Sequence, residues 1–97
     1  MKREQAFSIL QQHRDEIKQR FGVKRLALFG STARNEARED SDVDVLVDFA
    51  DGETYRGYFD LQFYLEDLLH HKIDLVCIES VRPQIKPYIE RDALYVA

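Results

Sequence analysis

Leu26 to Val47 reads LALFGSTARNEAREDSDVDVLV, an apolar run closed by Gly30-Ser31 and a second run opened by Asp42-Val43-Asp44. Continuous stretches of branched and aromatic residues mark strands buried on both faces, and Leu26-Ala27-Leu28-Phe29 and Val45-Leu46-Val47 both have that character. Thr32 to Ser41, between them, is polar and rich in helix formers, with Ser31 placed to cap a first turn. The order expected is strand, short helix, strand.

Side chains alternate across a strand, so Asp42 and Asp44 point to one face while Val43 points to the other. Two carboxylates held together near a core repel, which calls for a raised pKa or a bound cation. Oxygen ligands suit hard divalent cations, and Mg²⁺ prefers a few carboxylates completed by substrate phosphates. Gly30 and Ser31 provide the complementary half. A glycine at a strand end lets backbone approach a phosphate, and the free amides at a helix start attract anions. For the bend and the acids to share one site, the two strands must run antiparallel. A third acid, Asp74, interrupts the apolar run Lys72 to Ile78 near its start. If that strand lies parallel to the second, Asp74 joins Asp42 and Asp44, and the sheet is mixed.

Gly30-Ser31, ten residues, then Asp42-x-Asp44, with Asp74 on a later strand, resembles the nucleotidyltransferase superfamily of DNA polymerase beta. More narrowly, GSTARNEAREDSDVDVLVDF in a chain of 97 residues is similar to the minimal nucleotidyltransferase (MNT) domain, the antitoxin partner of HEPN-domain toxins. The likeness spans Val23 to Val76. It implies an α/β (α+β) polymerase beta-like fold, a small mixed sheet covered by about four helices. One departure is Asn35, where such domains usually carry glycine after the alanine-arginine pair; asparagine is the non-glycine residue that best tolerates positive φ.

The resemblance also implies chemistry. Asp42, Asp44 and Asp74 would be the catalytic carboxylates and would hold two Mg²⁺ ions, while Gly30 and Ser31 would grip the triphosphate of ATP. Arg34 would add charge to the phosphates or serve as a surface salt-bridge residue, and Ser41 would orient Asp42 or cap a turn. The reaction would be attack on the α-phosphorus of ATP, releasing pyrophosphate. In MNT antitoxins of type VII-like HEPN/MNT pairs the acceptor is a tyrosine of the HEPN ribonuclease toxin, silenced by one or more AMP groups. Added phosphate brings negative charge to a site that must receive RNA. The competing class is a non-catalytic antitoxin that masks its toxin. A transferase for small molecules or RNA ends is weaker, because no acceptor platform is visible. The plainest reading, that Gly30 only makes a turn and the acids only start a strand, leaves the spacing to coincidence.

The remaining sequence frames this core. A chain of this length suits one domain, residues 1–97, with 44% hydrophobic and 33% charged residues typical of a globule. Residues 1–38 carry nine Lys/Arg against four Asp/Glu, a net of +5, and residues 39–97 carry five against fourteen, a net of -9. With a net charge of -4 and no arginine-aromatic patch, direct nucleic-acid binding is not expected. No apolar run approaches a membrane span and no signal core opens the chain, so a cytoplasmic location is expected. Cys77 alone forms no internal disulfide.

Apolar spacing predicts a covering helix from Glu4 to Phe21 stopped by Gly22, with His13 on its surface, and a second helix through Tyr58, Leu61, Leu65 and Leu68. DFADGETYRG, residues 48–57, reads as a turn, and His70-His71 as a helix end without a metal role. Pro83 would open a helical turn that Pro87 kinks, and Ala93 to Val96 would form an edge strand or a tail.

Overall fold

The computed structural model describes residues 1–52 and 55–97. Its order is α1 (Arg3–Gln12), α2 (Arg14–Phe21), β1 (Val23–Leu28), α3 (Gly30–Ala33), β2 (Val43–Phe49), α4 (Tyr55–Leu69), β3 (Ile73–Cys77), a 3₁₀ turn (Ile78–Ser80), α5 (Lys86–Arg91) and β4 (Leu94–Tyr95). The sheet order is β3-β2-β1-β4. β1 runs antiparallel to β2 and to β4, whereas β2 and β3 are parallel, giving the mixed α/β sheet expected. The parallel pair is joined through α4, as such a crossover requires.

Alternation along β2 sorts the molecule into two unequal layers. Val43, Val45 and Val47 join Ala6, Leu10, Ile17, Leu61, Leu65 and Leu69 in the main core between the sheet and α1, α2 and α4. Leu61, Leu65 and Leu69, four residues apart, form one fully buried stripe, each side chain stabilising the fold by roughly 2 kcal/mol through burial. Leu46 and Ala27 face the other way, into a small cluster covered by Ile78, Ile89 and Ala93. Asp44 lies between Val43 and Val45 and therefore projects from this thinly covered face.

Three elements depart from the pattern in the sequence. The helix expected over Glu4 to Phe21 is two helices, because His13 leaves helical geometry (φ -107°, ψ 11°) and its Nδ1 lies 2.9 Å from the Ile9 carbonyl that its own amide would otherwise use. The helix expected over Thr32 to Ser41 is a single turn, since Asn35 adopts φ 58° and ends it; Ser31 sits inside that turn rather than capping it. Asparagine thus keeps the left-handed bend without glycine. Pro87 opens α5 instead of kinking it, standing in the first turn where its missing N–H costs nothing. Of the two outcomes expected for Ala93 to Val96 the edge strand is found, as β4 on the outer side of β1.

Gly22 closes α2 at φ 65°, and His70 closes α4 at φ 56°. The turn read at residues 48–57 partly overlaps β2 and α4; Glu53 and Thr54 lie outside the described residues. Cys77 is buried, and among the described residues no helix is long and apolar enough to cross a membrane.

Candidate active site

The end of β1 meets the start of β2. Leu28 pairs with Val45, and one residue further the Phe29 amide donates to the Asp44 carbonyl at 3.1 Å. Gly30 then turns the chain at φ 58°, bringing α3 over the first residues of β2. The Ser31 hydroxyl donates to Oδ2 of Asp44 at 3.2 Å. A Cβ built on Gly30 would stand 2.8 Å from that same oxygen, so the bend and the carboxylate fit only because position 30 has no side chain.

Thr32 completes this joint and was not singled out from the sequence. Only 1% exposed, it accepts the Asp44 amide on Oγ1 at 3.1 Å, bonding α3 to the strand that carries the acid. The signal available was a second hydroxyl residue just after Gly30-Ser31, with no periodicity to show that it turns inward.

Asp74 arrives from β3. In the parallel ladder Asp44 and Asp74 are register partners, so their side chains leave the same face of neighbouring strands about 4.8 Å apart. Burial raises the Asp44 carboxyl above the usual carboxylate range. The Ser31 hydroxyl opposes that shift, the charge of Asp74 adds to it, and the amides of Thr32 and Ser31 again oppose it.

Not all the expected residues meet. Among the described residues no three acidic, histidine or cysteine side chains stand close enough together to hold a metal ion, so the trio of Asp42, Asp44 and Asp74 is not assembled. Asp42 lies one residue ahead of β2 with an exposed side chain, and a solvated carboxylate gains nothing by approaching two like charges. Arg34 sits on Glu36 at 3.2 Å and Asp92 at 3.3 Å, tying α3 to the C-terminal segment. Ser41 accepts the Arg38 amide at 3.2 Å and so caps a turn. Gly30, Ser31, Asp44 and Asp74 form the contiguous part of the site.

That part fits a hard divalent cation. Its donors are carboxylate and hydroxyl oxygens, and among the described residues no Lys, Arg or His pairs with Asp42, Asp44 or Asp74.

Residues 10–96 match the nucleotidyltransferase domain family. The protein adenylyltransferase MntA of Thermococcus cleftensis is 43% identical over 93 residues, 96% of this chain and 94% of that protein. The solved structure of a candidate minimal nucleotidyltransferase superposes with a TM-score of 0.83 at 35% identity, covering 97% of this chain and 95% of that one. Two more distant structures share the fold. One is a toxin-antitoxin crystallised with AMP-PNP (TM-score 0.74, 19% identity, 90% of this chain and 72% of that one). The other is an MNT antitoxin in complex with the tri-AMPylated HEPN toxin of Shewanella oneidensis (TM-score 0.68, 17% identity, 94% of this chain and 71% of that one). The chain therefore belongs to the nucleotidyltransferase domain family and, within it, to the minimal nucleotidyltransferases.

Proposed function

We propose that this chain is the antitoxin of a HEPN/MNT pair, a single domain that moves AMP from ATP onto a tyrosine of its HEPN ribonuclease partner and releases pyrophosphate. The observation that carries this reading is the register pairing of Asp44 with Asp74 beside the Gly30-Ser31 bend. It is supported by the relationship to a protein adenylyltransferase over nearly the whole chain.

Asp44 and Asp74, with Asp42 beside the strand entry, would hold Mg²⁺. When bound, the metal supplies a lowered pKa at the attacking hydroxyl and charge neutralisation at the triphosphate. The protein's own work is placement. Ser31 and the amides that follow Gly30 donate into the position now taken by the Asp44 carboxylate, and an incoming phosphate would compete for those donors. The thin cover on this face leaves Asp74 exposed, so an acceptor tyrosine carried by a separate protein can reach it. Holding both reactants in line removes the entropic cost of their encounter.

The test is incubation of the chain with ATP, Mg²⁺ and its HEPN partner, followed by intact mass measurement. The expected result is a mass gain of one or more AMP groups on the partner, located on tyrosine, and no gain with Asp44→Asn. The alternative reading is neutralisation by masking. It predicts that Asp44→Asn still binds the partner and still protects cells.

A further inference from the structure

β3 is an edge strand, and what covers its free edge bears on Asp74. The Val43 amide donates to the Lys72 carbonyl at 2.9 Å, so Lys72, Asp74 and Val76 direct their backbone groups toward β2. Ile73 and Leu75 direct theirs outward, where an edge strand ordinarily leaves them to solvent. Here α4 supplies the missing partners from a single row of side chains four residues apart. Tyr58 donates its hydroxyl to the Leu75 carbonyl, Gln62 donates Nε2 to the Ile73 carbonyl at 3.2 Å, and Glu66 Oε2 accepts the Ile73 amide at 3.4 Å.

The Ile73 carbonyl belongs to the peptide group that joins Ile73 to Asp74. Gln62 and Glu66 therefore hold both backbone groups of the residue before the acid, and Tyr58 holds the residue after it. The ladder to β2 fixes the register of β3 from one side, and the outer side is left to α4. Three directed bonds hold that side.

We propose that Tyr58, Gln62 and Glu66 are positioning residues that clamp β3 from its outer edge and so steady Asp74 at the place beside Asp44 that the ladder gives it. The inference rests on the catalytic role proposed above for Asp74. Residues that orient a metal-binding side chain typically change metal affinity or rate by about 10- to 100-fold when removed.

The experiment uses the full chain with its HEPN partner and compares Gln62→Leu, Tyr58→Phe, Glu66→Gln and Glu66→Leu. Three quantities are read: the transfer rate at saturating ATP, the half-saturating ATP concentration, and direct binding of Mn²⁺ by titration calorimetry without ATP. Gln62→Leu is expected to lower the rate on the order of 10-fold and to weaken Mn²⁺ binding by a similar factor. Half-saturating ATP should stay within about twofold, since the Gly30-Ser31 bend is untouched. Glu66→Gln keeps an oxygen for the Ile73 amide and should remain near the parent, whereas Glu66→Leu should behave like Gln62→Leu. Tyr58→Phe removes one oxygen and tests the same row if Gln62→Leu fails to fold.

Unchanged Mn²⁺ affinity and rate in Gln62→Leu and Tyr58→Phe would overturn the proposal. So would losses that track melting temperature alone across all four variants. Asp74→Asn separates the two readings. If it still transfers AMP, the role of Asp74 falls and the clamp with it; if it is inactive while Gln62→Leu matches the parent, only the clamp falls.

Discussion

Gly30 lies against the carboxylate of Asp44, so closely that an added Cβ would stand 2.8 Å from Oδ2 and 3.4 Å from Cγ. The backbone there is also left-handed, at φ 58°. Gly30→Ala should therefore cost about 1–2 kcal/mol of stability from the backbone alone. The flexible side chain, not the strand, would give way, turning the Asp44 carboxylate off the Ser31 hydroxyl. Transfer to the partner should fall on the order of 10- to 100-fold with the circular dichroism spectrum retained. A variant as active as the parent would show that this contact does not set the site.

Asp44 links pH to stability. Burial raises its folded-state carboxyl pKa, so the folded chain binds this proton more tightly than the unfolded chain does. Its ionisation therefore costs stability, which is lost as pH rises from the ordinary aspartate range through the raised folded value. Without divalent metal, Asp44→Asn should melt higher than the parent at pH 7, and the gap should close at acid pH. Adding Mg²⁺ should raise the melting temperature of the parent and not of the variant, while transfer falls at least about 100-fold. Differential scanning fluorimetry across pH, with and without Mg²⁺, checks both signs.

Asn35 does two jobs that glycine would divide. It holds φ 58°, and its Oδ1 accepts the amide of Arg3 at 3.1 Å, the first residue of α1. Asn35→Ala should lose the bond and strain the backbone, costing about 2 kcal/mol in chemical denaturation. Asn35→Gly loses the bond but relaxes the backbone and should cost less than about 1 kcal/mol. Equal losses from the two would mean that the backbone conformation carries no strain.

Arg34 has both of its carboxylate partners away from the bend, Glu36 in the next turn and Asp92 in the C-terminal segment. Arg34→Ala should lower the melting temperature slightly, and less so at high salt. Half-saturating ATP should change by less than about twofold. A larger change in the kinetic titration would move Arg34 to the phosphates.

How much could be read beforehand differs from element to element. The buried stretches Leu26 to Leu28 and Val45 to Val47 were legible as apolar runs because both faces of the sheet are covered there, and α4 because its leucines recur at helical spacing. The break at His13 was not, since it depends on an imidazole competing for the Ile9 carbonyl, which leaves no periodic trace. Nor was the loss of helix after Ala33, where Ala37, Arg38 and Glu39 have helical propensity but Asn35 has already turned the chain. The inward turn of Thr32 and the row Tyr58, Gln62 and Glu66 also escaped, because a polar residue beside an apolar stripe looks the same whether it meets water or a strand edge.

The order of local events determined which residues could bear the chemistry: a glycine-serine bend, acids at alternate positions entering a strand, and one more acid entering a later strand. Tertiary structure alone decided which of them meet. Asp44 faces Asp74 because two parallel strands pair in one register, and Arg34 faces Asp92 because the chain's end folds back onto β1. Periodicity is a property of neighbours a few residues apart, whereas register and charge pairing are settled between segments far apart in the chain, where packing and repulsion act together.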